Sequence, residues 1–382
     1  MKRTKSYTPL VLYAAILSLP LLLLPSCSMM QDDRSDCPDC HTTLRVKLRY
    51  DYNIQRANMF GDHVQEATVY VVDPQTGIVV DMQSTGSTEE EHPMNSPSFA
   101  FNFEGLTPGS YRLYATGRSA ADAAFNTTTP QIGEKINLLQ FTVPTTTVND
   151  QRPTVNGQWS TVNEQRLDTL WNTLKPVDIV VPENETTEAT IPLIRLTNDL
   201  NIIIFRRDGS LDNSHERYEV TVTDENLTLG YDNEPATTAS LVYQPFAAWT
   251  TETVTDPTPD PSPTREGSGC ATTTRAEGSI AERNAHYDLS FSRLILHDDA
   301  RHNARLIIRN RETDHEIVNI DLCHYLALAR NAYETQHYST QEYLDREYDY
   351  RLDFGIEGNT WKYMNIHINL LSWAIRIQNE EL

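Results

Sequence analysis

The chain has 382 residues, with 53 acidic and 31 basic side chains and a formal net charge of −22. This length predicts two domains, each large enough to bury a core of its own. The negative charge excludes nucleic-acid binding that depends on clustered Lys and Arg, and contents of 39% hydrophobic and 9% aromatic residues exclude bulk disorder.

The N-terminal segment has the pattern of a bacterial lipoprotein signal peptide. Three basic residues within 2–5 precede an almost wholly apolar stretch over 10–24, which is too short for a comfortable membrane span. The sequence Leu-Pro-Ser-Cys that ends at Cys27 resembles a lipobox, whose cysteine is acylated and becomes the new N-terminus. We predict that residues 1–26 are removed and that acyl chains on Cys27, palmitate among them, anchor the mature chain. The alternative is an ordinary secretory peptide followed by a coincidental cysteine.

The charge of the chain and the residues after the lipobox indicate where the protein is held. An acidic protein is repelled by anionic lipid, so acyl chains rather than a basic patch must attach it to a membrane. The stretch 28–33 ends in two aspartates and resembles the acidic signal that directs some outer-membrane lipoproteins to the cell surface. We therefore expect a lipid-anchored protein of the outer membrane that faces the exterior.

The remaining cysteines do not complete a metal site. Cys37 and Cys40 have the spacing of a redox or zinc motif, but neither a second cysteine pair nor a histidine pair follows them. We favour a local disulfide or free thiols at these positions. The disulfide state of these two residues and of Cys270 and Cys323 stays open.

Alternation of apolar with polar residues is the dominant pattern of the mature chain and predicts β-strands. Residues 103–115 follow the pattern F-x-G-L-x-P-G-x-Y-x-L-x-A, which resembles the hairpin of transthyretin-like β-sandwich domains. In the first half of the chain the alternating runs lie at 44–50, 67–72, 78–80, 99–103 and 111–115, with weaker candidates at 136–143 and 177–181.

The second half of the chain shows the same alternation. Short helices are predicted from Asp321 through Ala329 and after Ser339, because an N-capping side chain precedes an apolar face in each case. The predicted strands lie at 200–204, 218–222, 287–291, 305–309, 316–320, 348–354, 364–370 and 373–377.

One proline-rich stretch interrupts this pattern. Four prolines lie within 257–263, and a β-ladder does not tolerate so many missing donors, so we predict a loop over 250–278. Within it, we expect limited proteolysis to cut first at 255–278. The predicted fold class is all-β, with two Greek-key β-sandwich domains over 27–190 and 191–382 and a few short helices.

Motifs that carry catalysis are missing from the sequence. It contains no G-x-S-x-G, P-loop, dinucleotide-binding, H-E-x-x-H or EF-hand pattern. His297 and His302 flank two aspartates and are the one candidate metal cluster, but they lie between two predicted strands, where a polar turn is the interpretation we favour. We predict no enzymatic activity, no cofactor and no metal site.

Pieces of sequence spread over the mature chain match one known family in order and rough spacing. They are Cys37-Pro38, 50–53, Phe60, 69–73, 196–200, 341–347, 366–369 and Trp373. Together they resemble the fimbrial anchor lipoproteins of the Bacteroidales, of the FimB-like and minor-fimbrium types. The run Gln-Glu-Tyr-Leu-Asp-Arg-Glu at 341–347 is the most specific piece. Two regions depart from the family pattern: 257–270 is longer than expected, and 125–173 carries no matching motif.

The resemblance implies a structural protein made of two transthyretin-like β-sandwiches. Subunits of such fimbriae join by donor-strand exchange, in which an extended strand of one subunit completes the groove of its neighbour. Stalk subunits lose their N-terminal strand by proteolysis, whereas an anchor keeps its lipidated N-terminus and stays closed. The resemblance therefore implies a protein at the base of a fimbrium that binds stalk subunits, terminates polymerisation and limits fimbrial length.

The C-terminal segment is the candidate working surface. Met364 to Leu370 alternate, and Trp373, Ile375 and Ile377 follow in a second apolar run close to the end of the sequence. Such an edge strand aggregates unless it is paired. Either it is the last strand of its own domain, or it is donated to the neighbouring subunit with Trp373, Ile375 and Ile377 filling core pockets.

A second class of function uses the same sandwiches differently. A surface lipoprotein acting as an adhesin, fimbrial tip or accessory subunit binds glycan or peptide through exposed aromatic residues. The sequence contains 5 Trp and 18 Tyr. Trp249, just ahead of the proline-rich stretch, is the candidate for such binding, although a core position explains it equally well.

Overall fold

The computed structural model describes residues 42–88, 91–120, 124–147, 161–237, 239–255, 279–370 and 373–381. Strands dominate these residues, so the predicted all-β class with short helices is confirmed. The α-helices are α1 (Phe60–His63), α2 (Leu322–Ala327), α3 (Ala332–His337) and α4 (Thr340–Arg346). The strands are β1 (Thr43–Arg49), β2 (Glu66–Val72), β3 (Val79–Gly86), β4 (Phe101–Glu104), β5 (Gly109–Arg118), β6 (Asn126–Thr128), β7 (Gln140–Thr142), β8 (Thr146–Thr147), β9 (Thr161–Asn163), β10 (Leu170–Thr173), β11 (Val177–Val181), β12 (Thr186–Arg195), β13 (Thr197–Arg206), β14 (Tyr218–Asp224), β15 (Thr228–Gly230), β16 (Leu241–Tyr243), β17 (Ala247–Thr255), β18 (Ser279–Ser292), β19 (Arg305–Asn310), β20 (His315–Asp321), β21 (Asp349–Glu357), β22 (Thr360–Leu370) and β23 (Trp373–Glu381).

The first sandwich is built from an eight-stranded sheet with the order β3-β2-β5-β10-β12-β1-β4, in which β11 also pairs with β5. The first strand, β1, runs parallel to β12 and antiparallel to β4. Its inward side chains pack with Phe103, Trp171 and Ile191 in one apolar cluster. The period of two in the sequence therefore arises because one face of each strand is buried.

The second sandwich packs two six-stranded sheets on each other. One has the order β17-β18-β13-β21-β22-β23 and the other β20-β19-β14-β16-β9-β8. In the centre of the first, β13 lies antiparallel to β18 and parallel to β21. Leu200, Ile202 and Ile204 of β13 are buried in the core between the sheets, and their neighbours along the strand point to the outer face.

The sheets do not divide the chain at residue 190, where the sequence analysis places the domain boundary. Strand β12 runs through that position, and its pairing in the first sandwich ends near Arg195. Strands β8 and β9, from the segment that carries no recognisable motif, join a sheet of the second sandwich through β16. Strands β6 and β7 pair with β15 in a small separate sheet. The transthyretin-like assignment of each domain stays a prediction.

The predicted start of the proline-rich loop at residue 250 is wrong, because the strand before it continues further along the chain. Strand β17 continues to Thr255 and pairs with β18, with Thr251 opposite Asn284. Threonine and valine favour extended backbone, so the strand persists until the prolines begin. Residues 256–278 lie outside the described residues. The weaker strand candidate at 136–143 is also shorter than predicted, because Ile136–Leu138 forms a 3-10 helix before β7.

The largest apolar cluster continues across the junction of the two sandwiches. Tyr70, Tyr114 and Ile194 of the first sandwich belong to the same cluster as Leu200 and Phe354 of the second. A large apolar interface of this kind opposes independent domain motion. We therefore treat the two sandwiches as one packed unit.

The short helices begin at the predicted capping residues. The Asp321 side chain accepts a hydrogen bond from the His324 amide at the start of α2, and the Ser339 side chain accepts one from the Glu342 amide at the start of α4. Helix α2 ends at Ala327 rather than at the predicted Ala329. Among the described residues, no helix is long and apolar enough to cross a membrane.

Candidate functional site

The N-terminal strand is an integral part of the first core. Leu44 and Val46 of β1 are fully buried and Leu48 is 6% exposed. Each of these aliphatic side chains contributes about 2 kcal/mol of burial free energy. Because β1 has ladder partners on both sides over its first half, it is held by backbone hydrogen bonds as well as by its apolar face.

Ion pairs cover the outward face of the same strand. A guanidinium nitrogen of Arg45 lies 3.2 Å from a carboxylate oxygen of Glu188 on β12, and the Lys47 ammonium lies 3.8 Å from the other oxygen. A second nitrogen of Arg45 donates to the Ser98 carbonyl at 2.9 Å. These exposed pairs contribute less than the buried face, typically below about 1 kcal/mol each.

A groove borders β1 where β4 stops pairing with it. Pairing to β4 ends at Val46, so the second half of β1 lines a groove of about 670 Å³ instead of another strand. Phe60 and Phe99 line its apolar side, with ring centroids 6.5 Å apart. This groove lies directly beside the N-terminal strand, and charged side chains such as Lys47, Arg49 and Asp62 line it together with the two rings.

The C-terminal strand, β23, lies at the edge of a six-stranded sheet of the second sandwich. Among the described strands, β23 pairs with β22 alone, with Ile377 opposite Ile366 and Ile375 opposite Ile368. The backbone therefore occupies the position expected of a last strand of its own domain. The side chains of Trp373, Ile375 and Ile377 lie outside the described part of the structure, so their predicted role in a neighbouring subunit stays a prediction.

The most specific sequence run, 341–347, forms the junction of the two sandwiches. The Ile54 amide donates to the Arg346 carbonyl at 3.1 Å, and the Arg346 guanidinium lies 4.1 Å from the centre of the Tyr52 ring. On the other side of the helix, the Gln341 amide donates to the Leu294 carbonyl at 2.9 Å. Helix α4 therefore joins the loop after β1 to the second sandwich.

A buried ion pair reinforces this junction. Arg293 donates to both carboxylate oxygens of Asp345, at 2.7 and 2.9 Å, and its third nitrogen donates to the Asn233 carbonyl at 2.7 Å. Asn233 in turn donates to the Thr173 carbonyl of the first sandwich at 2.8 Å. The chain of contacts thus runs from one sandwich through the pair to the other.

Asp224 and Glu347 are buried carboxyl groups that make no ion pair among the described residues and whose pKa is raised. Asp224 accepts a hydrogen bond from the Glu225 amide at 2.7 Å, and Glu347 accepts from the amides of Tyr348 and Asp349 at 3.0 and 3.2 Å. Burial raises the pKa of each group to about 8. Both are therefore largely protonated at neutral pH.

Sequence reasoning missed the buried carboxyl group of Asp224, although a signal exists. Asp224 continues the inward alternation of Tyr218, Val220 and Val222 on β14, so its side chain points into the core. An ionisable residue in register with apolar positions is a sign of a buried charge. No such signal identifies Arg293, whose partners are distant in sequence.

The other predicted site residues do not form a centre. The Nδ1 atom of His302 lies 3.1 Å from a carboxylate oxygen of Glu225, and the His297 ring centroid lies 6.1 Å from that of His302. The described residues contain no group of three or more potential metal ligands. Cys323 is buried as a free thiol, and burial raises its pKa. The lipidation residue Cys27, and likewise Cys37, Cys40 and Cys270, lie outside the described residues.

Comparison with solved structures shows which folds this chain shares. A protein described as a "putative adhesin" from Bacteroides thetaiotaomicron VPI-5482 is 22% identical, with a TM-score of 0.63 over 90% of this chain and 99% of that chain. A structure from the same strain, described as "putative polysaccharide binding proteins", is also 22% identical, with a TM-score of 0.63 over 89% of this chain and 99% of that chain. The fimbrial anchor protein Mfa2 from Porphyromonas gingivalis is 14% identical, with a TM-score of 0.53 over 89% of this chain and 100% of that chain. At these identities the likeness shows a common fold.

Sequence comparison identifies the family. No curated protein matches the chain at a significant level. The family of fimbrillin-A associated anchor proteins Mfa1 and Mfa2 matches residues 34–379, which is most of the 382-residue chain. The resemblance found in the sequence pieces is thereby confirmed, and it places the protein among structural components of surface fimbriae. The chain belongs to the Mfa2 family of fimbrial anchor proteins.

Proposed function

We propose that this protein is the membrane anchor of a surface fimbria that assembles by donor-strand exchange. As a lipoprotein it attaches the fimbria to the outer membrane through acyl chains on Cys27. It binds the adjoining stalk subunit and, because it accepts no further strand, it terminates polymerisation and limits fimbrial length. Membership of the anchor family supports this role.

The position of β1 is the observation that carries the proposal. A subunit accepts a foreign strand where its own sheet is incomplete. In this protein β1 lies between β12 and β4, and Leu44 and Val46 occupy the core that an incoming strand would fill. Retention of the N-terminal strand therefore keeps the acceptor groove closed, as an end subunit requires.

The same strand suits the protein to bear load. Cys27 precedes β1 closely in sequence, so a pull on the fimbria is transmitted from the acyl chains through this strand to the sheet. Hydrogen bonds from β12 along the length of β1, and from β4 over its first half, resist its extraction. An anchor with a single-sided edge strand at this position would release more easily.

We assign the contact with the adjoining stalk subunit to the C-terminal end of the chain. Strand β23 has one ladder partner among the residues described, so it can leave its sheet without disturbing a described strand on its other side. In the proposed assembly it enters the groove of the adjoining stalk subunit, where Trp373, Ile375 and Ile377 fill core pockets. The edge position of β23 supports this assignment and is equally compatible with an ordinary last strand.

Substitution of Cys27 tests whether the protein is lipidated. Cys27→Ala should give an unlipidated, mislocalised precursor and fimbriae that are released into the medium, since the acylating reaction requires the thiol. Mass spectrometry of the N-terminus and the distribution of fimbriae between cells and medium measure this. Ser28→Ala, one residue further, should leave both unchanged. A native N-terminus other than acylated Cys27 would overturn the lipid-anchor proposal.

Termination is tested by the length of the fimbriae. Cells that lack the protein should carry longer fimbriae and shed more of them, and expression of the intact chain should restore both properties. Electron microscopy gives the length distribution. Fimbriae of unchanged length and attachment would show that the protein neither terminates nor anchors them.

A further inference from the structure

The loop that follows β1 contacts both sandwiches, and we call its residues 50–56 the clasp. The Tyr50 ring packs edge-on against Trp171 in the first core, with centroids 5.7 Å apart. The fully buried Asn53 side chain donates to the Tyr50 carbonyl at 3.1 Å and to the Ala57 carbonyl at 2.8 Å. The clasp is therefore fixed at two points to the sandwich that holds β1.

Other residues of the clasp reach the second sandwich. The Ile54 amide donates to the Arg346 carbonyl of α4 at 3.1 Å, and the Ile54 side chain is buried in the apolar cluster that the two sandwiches share. The Arg346 guanidinium lies 4.1 Å from the centre of the Tyr52 ring and 4.6 Å from that of the Tyr338 ring. One guanidinium thus contacts an aromatic ring from each sandwich.

Arg56 holds the end of the clasp against α3. Its φ of +55° lies in the left-handed region, which a residue other than glycine adopts only at a cost in free energy. Its Nη1 atom donates to the Tyr333 hydroxyl at 2.6 Å, and its guanidinium lies 4.3 Å from the centre of the same ring. The Tyr333 ring stacks in turn on His337 within α3, with centroids 3.9 Å apart. These contacts offset the backbone strain and keep Arg56 on the second sandwich.

Tension on the N-terminus reaches the clasp along the covalent chain. The clasp directly follows β1, so the load that the ladders of β1 do not take up passes into residues 50–56 and from there to α3 and α4. A second route crosses the ladder from β1 to β12, whose chain continues through Leu196 into β13 of the second sandwich. Both routes enter the second sandwich without passing through β2, β3 or β5.

We propose that the clasp is a load-bearing connection that passes tension from β1 directly to α3 and α4. While it is closed, strands β2, β3 and β5 carry little of the load, so the first core is not pulled apart strand by strand. This inference deepens the proposed anchor role and rests on it for the source of the tension. The contacts of the clasp themselves determine how the molecule yields when β1 is pulled.

The clasp is separate from the buried ion pair at the junction. Arg293 and Asp345 both belong to the second sandwich and reach the first through Asn233, which donates to the Thr173 carbonyl of β10. That connection does not start from β1. A contact that only stabilises the fold lowers the rate of unfolding whichever way the molecule is pulled, whereas a contact on the path of the load matters most when the pull passes through it. The direction of pulling therefore distinguishes the two roles.

The test is single-molecule force spectroscopy of the full mature chain, which measures the rate of unfolding at constant force. In the terminal geometry, handles are attached ahead of residue 28 and in the turn at 311–314 of the second sandwich, so the load enters through β1. In the lateral geometry, the first handle moves to the turn at 73–77, between β2 and β3. Arg346→Met should speed the opening of the first sandwich about tenfold in the terminal geometry and less than about twofold in the lateral geometry.

Two further variants complete the comparison. Arg56→Ala changes an exposed side chain, so it gives the same comparison if Arg346→Met does not fold, and it should speed the opening about threefold in the terminal geometry. Arg207→Met is the matched control. Its guanidinium also lies near a tyrosine ring, 5.6 Å from the centre of Tyr363, but within the second sandwich, so the substitution should change neither rate.

The two geometries give a clear result against the proposal as well as for it. Equal acceleration in both would show that Arg346 only stabilises the fold. An unchanged rate in the terminal geometry, for a folded variant, would show that the clasp carries no load. Either result would overturn the clasp and leave the anchor role standing, because Cys27→Ala and the lengths of the fimbriae test that role on whole cells.

Discussion

The first and last described strands of this protein show opposite ways of holding a chain end. Strand β1 lies inside a sheet, with β12 and β4 on its two sides and Leu44 and Val46 fully buried. Strand β23 lies on a sheet edge and, within the part of the chain that the structure describes, pairs only with β22. Removal of β1 exposes buried apolar side chains and breaks its backbone hydrogen bonds. Removal of β23 breaks at least its backbone hydrogen bonds to β22. In the proposed assembly, this difference suits the N-terminal strand to attachment and the C-terminal strand to exchange.

The largest effect is expected when a charged side chain is placed on the buried face of β1. Val46→Asp should abolish folding of the first sandwich or destabilise it by more than about 4 kcal/mol, because an unpaired carboxylate would replace a buried methyl-bearing side chain. Urea denaturation followed by tryptophan fluorescence measures the loss. Lys47→Gln, on the outward face of the same strand, should cost less than about 1 kcal/mol. Similar losses for both variants would show that β1 is not part of the core.

The junction determines whether the two ends belong to one folding unit. Asp345→Ala leaves the buried Arg293 guanidinium with the exposed Glu234 carboxylate, 3.5 Å away, in place of its buried partner, and should cost about 3 kcal/mol, with separate unfolding transitions for the two sandwiches. Arg293→Met combined with Asp345→Leu should recover much of the loss. The exposed pair of Arg301 with Asp299 is the control, since Asp299→Ala there should change stability by less than about 1 kcal/mol. A single transition in the Asp345→Ala variant would show that the apolar junction alone couples the sandwiches.

A rise in pH from about 4 to about 8 should lower the stability of the C-terminal half of the molecule. The pKa of Asp224 is about 8 in the fold against an ordinary value of 3.8, so the folded state keeps a proton that the unfolded chain releases. Stability is therefore greatest below about pH 4 for this group and falls as the pH rises to about 8, by up to about 1.4 kcal/mol per pH unit.

The Asp224→Asn variant tests the predicted direction of the change in stability with pH. The amide carries no proton to lose, so the slope of unfolding free energy against pH between about 5 and 8 should become shallower, and the variant should gain stability relative to the native protein at pH 8. Exposed Asp178, at the surface of β11, supplies the control substitution to Asn. An unchanged slope in the Asp224→Asn variant would contradict the assignment of this carboxyl group as buried and protonated.

The sequence predicts strands well where one face is buried and the other is not. Strands β1, β2 and β13 show the alternation because their inward and outward residues differ in environment. Strand β10 was not predicted, because all four of its residues are buried and no alternation results. The role of α4 was also hidden, since Gln341 and Arg346 contact residues that lie far from them in sequence. Sequence identifies that run as a family signature, and only the fold shows it as a junction.

Removal of the last strand should have the smallest effect on stability and a large one on assembly. Deletion of residues 372–382 removes β23 from a sheet edge, and if the strand is donated the protein should stay folded, with a melting temperature lowered by only a few degrees. It should remain attached to the membrane and no longer hold the fimbria. Deletion of 379–382 alone keeps Trp373, Ile375 and Ile377 and should retain fimbrial attachment. If the longer deletion unfolds the second sandwich, the strand belongs to the protein's own core, and its donation to a stalk subunit has to be abandoned.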